Sequence, residues 1–336
     1  MPPDATERLA PRLNGRRVCV TGGAGFIGGH VVDTLVELGA VVTVLDDLSN
    51  ATMTHVAGLI ARDPARCRFV HGSILDPGAL GSAMEGAELV LHLAAVCSVP
   101  RSIENPERSW AVNASGTLRV LESARSAGAG RVVYSASSSA YGDTAELPKA
   151  ETAAPAPMSP YAASKLAGEH LCSAWSASMG LSTVSLRYFN VFGPRQPADS
   201  PYAGVIPAFA RRLERGEPPR IEGDGAQTRD FTYVANVVLA NLLAATEDAP
   251  LSGEVINVGA GTSASIGELA TLMAEAYGMS ELTPEHVERR PGDVRHSLAD
   301  LARARDLLGY EPFVGFREGL GLAVEWYRTA AADATP

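Results

Sequence analysis

Short apolar runs alternate along the chain with longer stretches whose apolar positions recur every three or four residues. Arg17-Val-Cys-Val-Thr21 is a continuous run of strand length, and it predicts a buried strand. From Gly28 to Leu38 the apolar spacing turns helical, and Gly39 closes that helix. Val41 to Leu45 predicts a second strand. The same reading predicts strands over Arg68–His71, Leu89–Ala95, Arg131–Ser135, Ser182–Asn190 and Glu254–Val258, with helical segments between them. Strands alternating with helices predict an α/β fold on a parallel, doubly wound sheet. Ligands of such sheets bind beyond the carboxyl ends of the strands, so Ala94, Ala95 and Ser135 are expected at the crevice.

Between these elements the pattern is less regular. Residues 1–15 read as a flexible leader. Pro148 to Pro160 is a Pro/Ala-rich loop opening into a helix that Gly180 ends, Gly204 opens another helix, and Ile221 to Gly225 reads as a short strand and turn. The expected organisation is a large unit over 16–190, to which 228–260 return, and a smaller α/β unit made of 191–227 and 261–330.

Composition narrows the function. With 336 residues, 46% hydrophobic and 20% charged, the chain can build one large core and a smaller one. A net charge of −10 argues against nucleic acid or an anionic membrane as partner. No apolar run is long enough to span a bilayer, and Met1 to Arg17 lacks the apolar centre of a signal peptide, so a cytoplasmic protein is expected. Cys19, Cys67, Cys97 and Cys172 are widely spaced, which suggests neither a zinc site nor a disulfide framework. The histidines show no metal-ligand spacing, and His92 and His296 read as structural.

Three features carry chemistry. Gly22-Gly-Ala-Gly-Phe-Ile-Gly28 lies between the first strand and its helix, and Asp46 ends the second strand, 18 residues beyond Gly28. That arrangement holds a dinucleotide: the glycines admit the pyrophosphate to the helix N-terminus, and the carboxylate takes the adenosine ribose and repels a 2′-phosphate. NAD is therefore expected over NADP. Tyr161 and Lys165, four residues apart, share a helix face, where a cation would favour the phenolate. Ser137 lies in a serine cluster after the strand ending at Ser135, 24 residues before Tyr161, where its hydroxyl can meet the same substrate oxygen.

Taken together, Thr21 to Gly28, Asp46, His92-Leu-Ala-Ala95, the serines before Tyr141-Gly142 and Tyr161-x-x-x-Lys165 resemble the extended short-chain dehydrogenase/reductase family. More narrowly the chain resembles its nucleotide-sugar 4-epimerases, from about Arg16 to Tyr327. The resemblance implies a Rossmann-type NAD domain and a smaller C-terminal nucleotide-sugar domain. It implies Ser137, Tyr161 and Lys165 as catalytic residues. Cofactor contacts are implied for Gly22, Gly25, Phe26, Ile27, Gly28, Asp46, Asn50, Ser73, Ile74, Leu93, Ala94, Ala95 and Phe189, with Tyr161 and Lys165. Ser73 departs from the Asp usual in relatives. Substrate contacts are implied for Ser98, Ser138, Ser139, Asn190, Gln196, Gly204, Val205, Ile221, Arg229, Arg290, Asp293 and Ser297. Arg229 and Arg290 would clamp a diphosphate.

The resemblance also bears on the reaction. Dehydratases of the superfamily resemble Thr-Asp-Glu where this chain has Ser137-Ser138-Ser139, and decarboxylases tend to carry Glu. Without that carboxylate, elimination lacks its acid, and reversible oxidation at one sugar carbon of a UDP-sugar is expected. Asn190 and Pro197 lean away from a uronate, and small Ser297 leaves room for an N-acetyl group. UDP-GlcNAc/UDP-GalNAc, with or without UDP-Glc/UDP-Gal, is the expected pair. The alternatives are a UDP-glucuronate 4-epimerase, another nucleotide-sugar epimerase or dehydratase, or a non-catalytic NAD-binding regulator. Relatives pair through the helix of Tyr161 and the one before it, so a homodimer is expected.

Overall fold

A computed structural model describes residues 1–197, 204–289 and 294–333. Seven strands form one sheet: β1 (Arg17–Thr21), β2 (Val41–Asp46), β3 (Cys67–His71), β4 (Leu89–His92), β5 (Arg131–Ser137), β6 (Ser182–Tyr188) and β7 (Ser252–Val258). Every pairing is parallel, in the order β7-β6-β5-β4-β1-β2-β3. The chain moves outward from β1 to β3 and then returns to place β4 on the other side of β1. Loops after β1 and β4 therefore diverge, and a crevice opens between them at the carboxyl edge. The inner strands are buried on both faces because helices cover both, as a parallel sheet requires. Val20, Val44, Val90, Val132 and Leu186 are all fully buried.

The helix Phe26–Glu37 starts directly after the glycine loop, with Gly25 as its N-cap. The helix Pro160–Met179 is punctuated at both ends. Ser159 accepts the Ala162 N–H at 3.1 Å, Pro160 supplies a preset φ, and Gly180 closes it in the left-handed region at φ 70°. Deeper in this helix, Glu169 forms a buried ion pair with Arg187 of β6 at 2.7 Å, fixing helix to sheet.

A second core gathers Phe192, Phe209, Phe231, Leu269 and Met273 between the helices Val205–Glu214, Ile266–Ala276 and Phe316–Asp333. Phe231 stacks on Phe316 at 5.2 Å. Thr228–Arg229, expected to rejoin the large unit, pairs antiparallel with Ala264–Ser265 instead; the return to the sheet comes with the helix Val234–Thr246 and β7.

The expected leader is corrected by the structure. Pro3–Leu13 is a helix, and Leu9 and Leu13, four residues apart, are both fully buried against the helix Val234–Thr246. Burying each contributes about 1.5–3 kcal/mol. Arg8 donates to the Leu308 carbonyl at 2.9 Å, and Arg12 pairs with Asp248 at 2.5 Å.

A strap over 294–300 crosses from one lobe to the other. Ser297 N–H donates to the Thr228 carbonyl at 3.1 Å, Lys149 N–H to the Leu298 carbonyl at 2.8 Å, and Ala299 N–H to the Asp230 carboxylate at 3.1 Å.

Candidate active site

Two clefts meet at the carboxyl edge of the sheet. The first lies between the loops after β1 and β4. Gly22, Gly25, Phe26, Ile27, Gly28, Asp46, Asn50, Ser73, Ile74, Leu93, Ala94 and Ala95 all line it, so the twelve residues expected to hold a dinucleotide from that side are brought together. Gly22 has φ +72° and its missing Cβ would lie 2.6 Å from Ala94 N; a Cβ on Gly28 would lie 2.1 Å from the Gly22 carbonyl. Side chains there would close the loop against β4. Asp46 is held by backbone donors, Ala24 N–H at 3.1 Å and Leu48 N–H at 2.9 Å, so its outer lone pairs face the cleft. Ser73 Oγ accepts the Leu75 N–H at 3.2 Å.

The second cleft, of about 460 Å³, runs from β5 and β6 towards the strap. Ser137, Ser138, Ser139, Tyr161, Lys165, Phe189, Asn190, Gln196, Arg229 and Ser297 line it, and Phe26, Ile27, Cys97, Ser135 and Gln196 are shared between the clefts. Lys149, Lys165 and Arg229 make it cationic, and no carboxylate is among its described lining residues.

Some expected contacts lie elsewhere. Ile221 is buried in the second core, where its strand packs inward, and Val205 packs against that core; neither is among the lining residues of either cleft. Gly204 and Ser98 line the dinucleotide cleft, and Phe189 lines the second cleft. Arg290 and Asp293 lie outside the described residues. His296, read as structural, bonds Thr228 Oγ1 through Nδ1 at 3.0 Å but also faces the second cleft.

The catalytic candidates meet. Ser137 ends β5, and its side chain lies beside the Tyr161 phenol in the second cleft. Burial raises the phenol's pKa and the nearby Cys97 charge adds to that, while the Ser137 side chain opposes both. Lys165 lines the same cleft, and its Nζ lies 4.4 Å from the centroid of the Tyr134 ring. Burial lowers the Lys165 pKa to about 8, against the charges of Cys97, Glu169 and Cys172.

Sequence reasoning missed the residues that hold Tyr161 in place. Its N–H donates to Ser102 Oγ at 3.0 Å. Its carbonyl accepts the Ser164 hydroxyl at 2.8 Å, and Ser164 Oγ accepts from Asn113 Nδ2 at 3.0 Å. Asn113 also bonds both backbone groups of Val96, at 2.8 and 3.2 Å, from a π-helical segment over Ala111–Ser115. Such segments occur often at functional sites. His92 is neutral beneath them, its pKa lowered to about 3 by burial, and joins Thr21 and Thr117 at 2.7 and 3.0 Å.

Residues 18–259 match the model of the NAD dependent epimerase/dehydratase family. The chain belongs to that family. Its cofactor is NAD, which the glycine cradle and the backbone-held Asp46 carboxylate fit. Among its relatives, a UDP-glucose 4-epimerase of Mycolicibacterium smegmatis is 38% identical over 314 residues, 93% of this chain and 98% of that one. A dTDP-glucose 4,6-dehydratase of Streptomyces niveus is 35% identical over 319 residues, 93% of each chain. A solved UDP-N-acetylglucosamine 4-epimerase from Methanobrevibacter ruminantium M1, in complex with UDP-N-acetylmuramic acid, is 36% identical with a TM-score of 0.87, covering 94% of this chain and 99% of that one. The family thus contains both epimerases and dehydratases. The groups around Tyr161 bear on which of the two this member is.

Proposed function

We propose that the protein is a UDP-sugar 4-epimerase that interconverts UDP-GlcNAc and UDP-GalNAc and tolerates UDP-Glc. The observation that carries the reaction type is the make-up of the second cleft: Ser137, Tyr161 and Lys165 without a carboxylate among the described lining residues. Elimination of water needs a further acid–base pair beside the tyrosine; proton exchange at one hydroxyl does not.

Tyr161 takes the O4 proton of the sugar as the C4 hydride leaves. NAD, held by Gly22, Gly25, Gly28 and Asp46, would supply the hydride acceptor and donor for the two half-reactions. Ser137 donates to the oxygen on which charge develops. Lys165 adds positive charge on the same wall, and Arg229 with Lys149 suits the cleft to an anionic diphosphate. The sugar turns between the two half-reactions, so its own contacts must be fewer than those of the nucleotide. The shared identity with epimerases of UDP-glucose and UDP-N-acetylglucosamine supports the UDP-sugar class, and the small Ser297 on the cleft wall supports the acetylated pair. The half-exposed Trp110 and Leu118, beside the helix Pro160–Met179, support a homodimer through this face.

The test is NMR of the purified protein with UDP-GlcNAc, UDP-Glc and UDP-GlcA separately. Inversion at C4 of the first two is expected. A 4-keto-6-deoxy or decarboxylated product would overturn the reading.

A further inference from the structure

Ser137 accepts two hydrogen bonds from one residue. The backbone N–H of Ser139 donates to Ser137 Oγ at 3.2 Å, capping the short 3₁₀ turn Ser138–Tyr141. The Ser139 hydroxyl donates to the same oxygen at 2.9 Å. A serine hydroxyl has two acceptor lone pairs and one proton. Both lone pairs are therefore occupied from one side, and the single proton is left for the side where Tyr161 and the second cleft lie.

That orientation matters for the chemistry. A free hydroxyl beside a phenol can either donate to its oxygen or accept from it. Donation favours the phenolate that takes the O4 proton, whereas acceptance favours the neutral phenol. We propose that Ser139 is a positioning residue whose two bonds to Ser137 fix that hydroxyl as a one-way donor towards Tyr161 and the reacting sugar oxygen. The proposal rests on the epimerase reading above. It also changes the part expected of Ser139, which lines the cleft but has its proton committed to Ser137 and offers a ligand only lone pairs.

Steady-state kinetics across pH, with the retained-NAD enzyme and UDP-Glc or UDP-GlcNAc, test it. Ser139→Ala keeps the backbone cap and so the turn. It is expected to lower kcat roughly 3- to 10-fold with KM within about twofold, the size of effect of one neutral hydrogen bond. The rising limb of its pH profile should move to higher pH, because the phenolate loses an oriented donor. Ser139→Thr, which keeps the hydroxyl, should restore both. The double variant Ser137→Ala/Ser139→Ala should be no slower than Ser137→Ala alone, since Ser139 acts only through Ser137.

A raised KM with unchanged kcat in Ser139→Ala would overturn the proposal in favour of a direct sugar contact. So would losses that multiply in the double variant. If Ser137→Ala is itself fully active, the catalytic assignment of Ser137 fails, a result distinct from a failure confined to Ser139.

Discussion

Ser102 Oγ accepts the backbone N–H of Tyr161 at 3.0 Å while donating to the Val99 carbonyl at 2.7 Å, and it is fully buried. The short helix Val99–Glu104, which follows the loop lining both clefts, is thereby tied to the first turn of the helix that carries the phenol. Ser102→Ala strands the part-buried Tyr161 N–H and is expected to lower stability by about 1 kcal/mol. A kcat loss of about tenfold should accompany it through misplacement of the phenol. Urea unfolding and turnover, measured on one preparation, check both; an unchanged kcat would show that the tie serves only the fold.

Tyr161→Phe is expected to retain NAD and the fold and to lose epimerisation by ~10²–10⁴. The phenol oxygen is the proton carrier at O4, and it is the group whose pKa the Ser137 side chain lowers. Turnover above about a tenth of the parent would remove that role.

Lys165 makes stability depend on pH in a known direction. Its pKa falls from the ordinary lysine value to about 8 because burial disfavours the ammonium. The penalty is fully present below pH 8 and is relieved as pH rises towards the unfolded value of about 10.5. Lys165→Met is thus expected to be inactive yet more stable than the parent at pH 7, by about 1–3 kcal/mol. That advantage should narrow above pH 8. Paired denaturant curves at pH 7 and 9.5 measure it, and a constant difference would contradict it.

Asp46 sets the cofactor's preference. Its carboxylate is pinned by Ala24 and Leu48 at the end of β2, where a 2′-phosphate would meet like charge. NAD should bind more tightly than NADP in side-by-side titration, and Asp46→Ala should narrow the gap.

Ser297 is nearly buried in the cleft wall, with its backbone fixed to Thr228. Ser297→Tyr is expected to abolish turnover of UDP-GlcNAc by steric exclusion while sparing UDP-Glc. Equal survival of both activities would show that this position does not choose the sugar.

How much of this the sequence could reveal depended on where each signal lay. Gly22 to Gly28, Asp46 and the pair Tyr161/Lys165 act through neighbours a few residues away, so their spacing was readable. Ser102 and Asn113 act on residues 59 and 51 positions distant, and as an isolated serine and asparagine they carry no local pattern. The opening helix was misread because its charged and polar residues outnumber the two leucines that bury. Helical spacing sets the face that Lys165 shares with Tyr161 but not the direction of its four-carbon side chain, so the Nζ contact with the Tyr134 ring was not readable. Ile221 carries an apolar side chain that a core can claim as readily as a ligand.

The Pro3–Leu13 helix has a consequence for the order in which the protein is made. Arg8 holds the carbonyl of Leu308, 300 positions later. At roughly 5–20 residues per second on the ribosome, those partners are synthesised about 15–60 s apart. The buried faces of Leu9 and Leu13 have no seat until the helix Val234–Thr246 has been made, and the nascent chain carries them exposed. A chaperone that binds short apolar segments would therefore have access to this helix until its partner helix Val234–Thr246 is made.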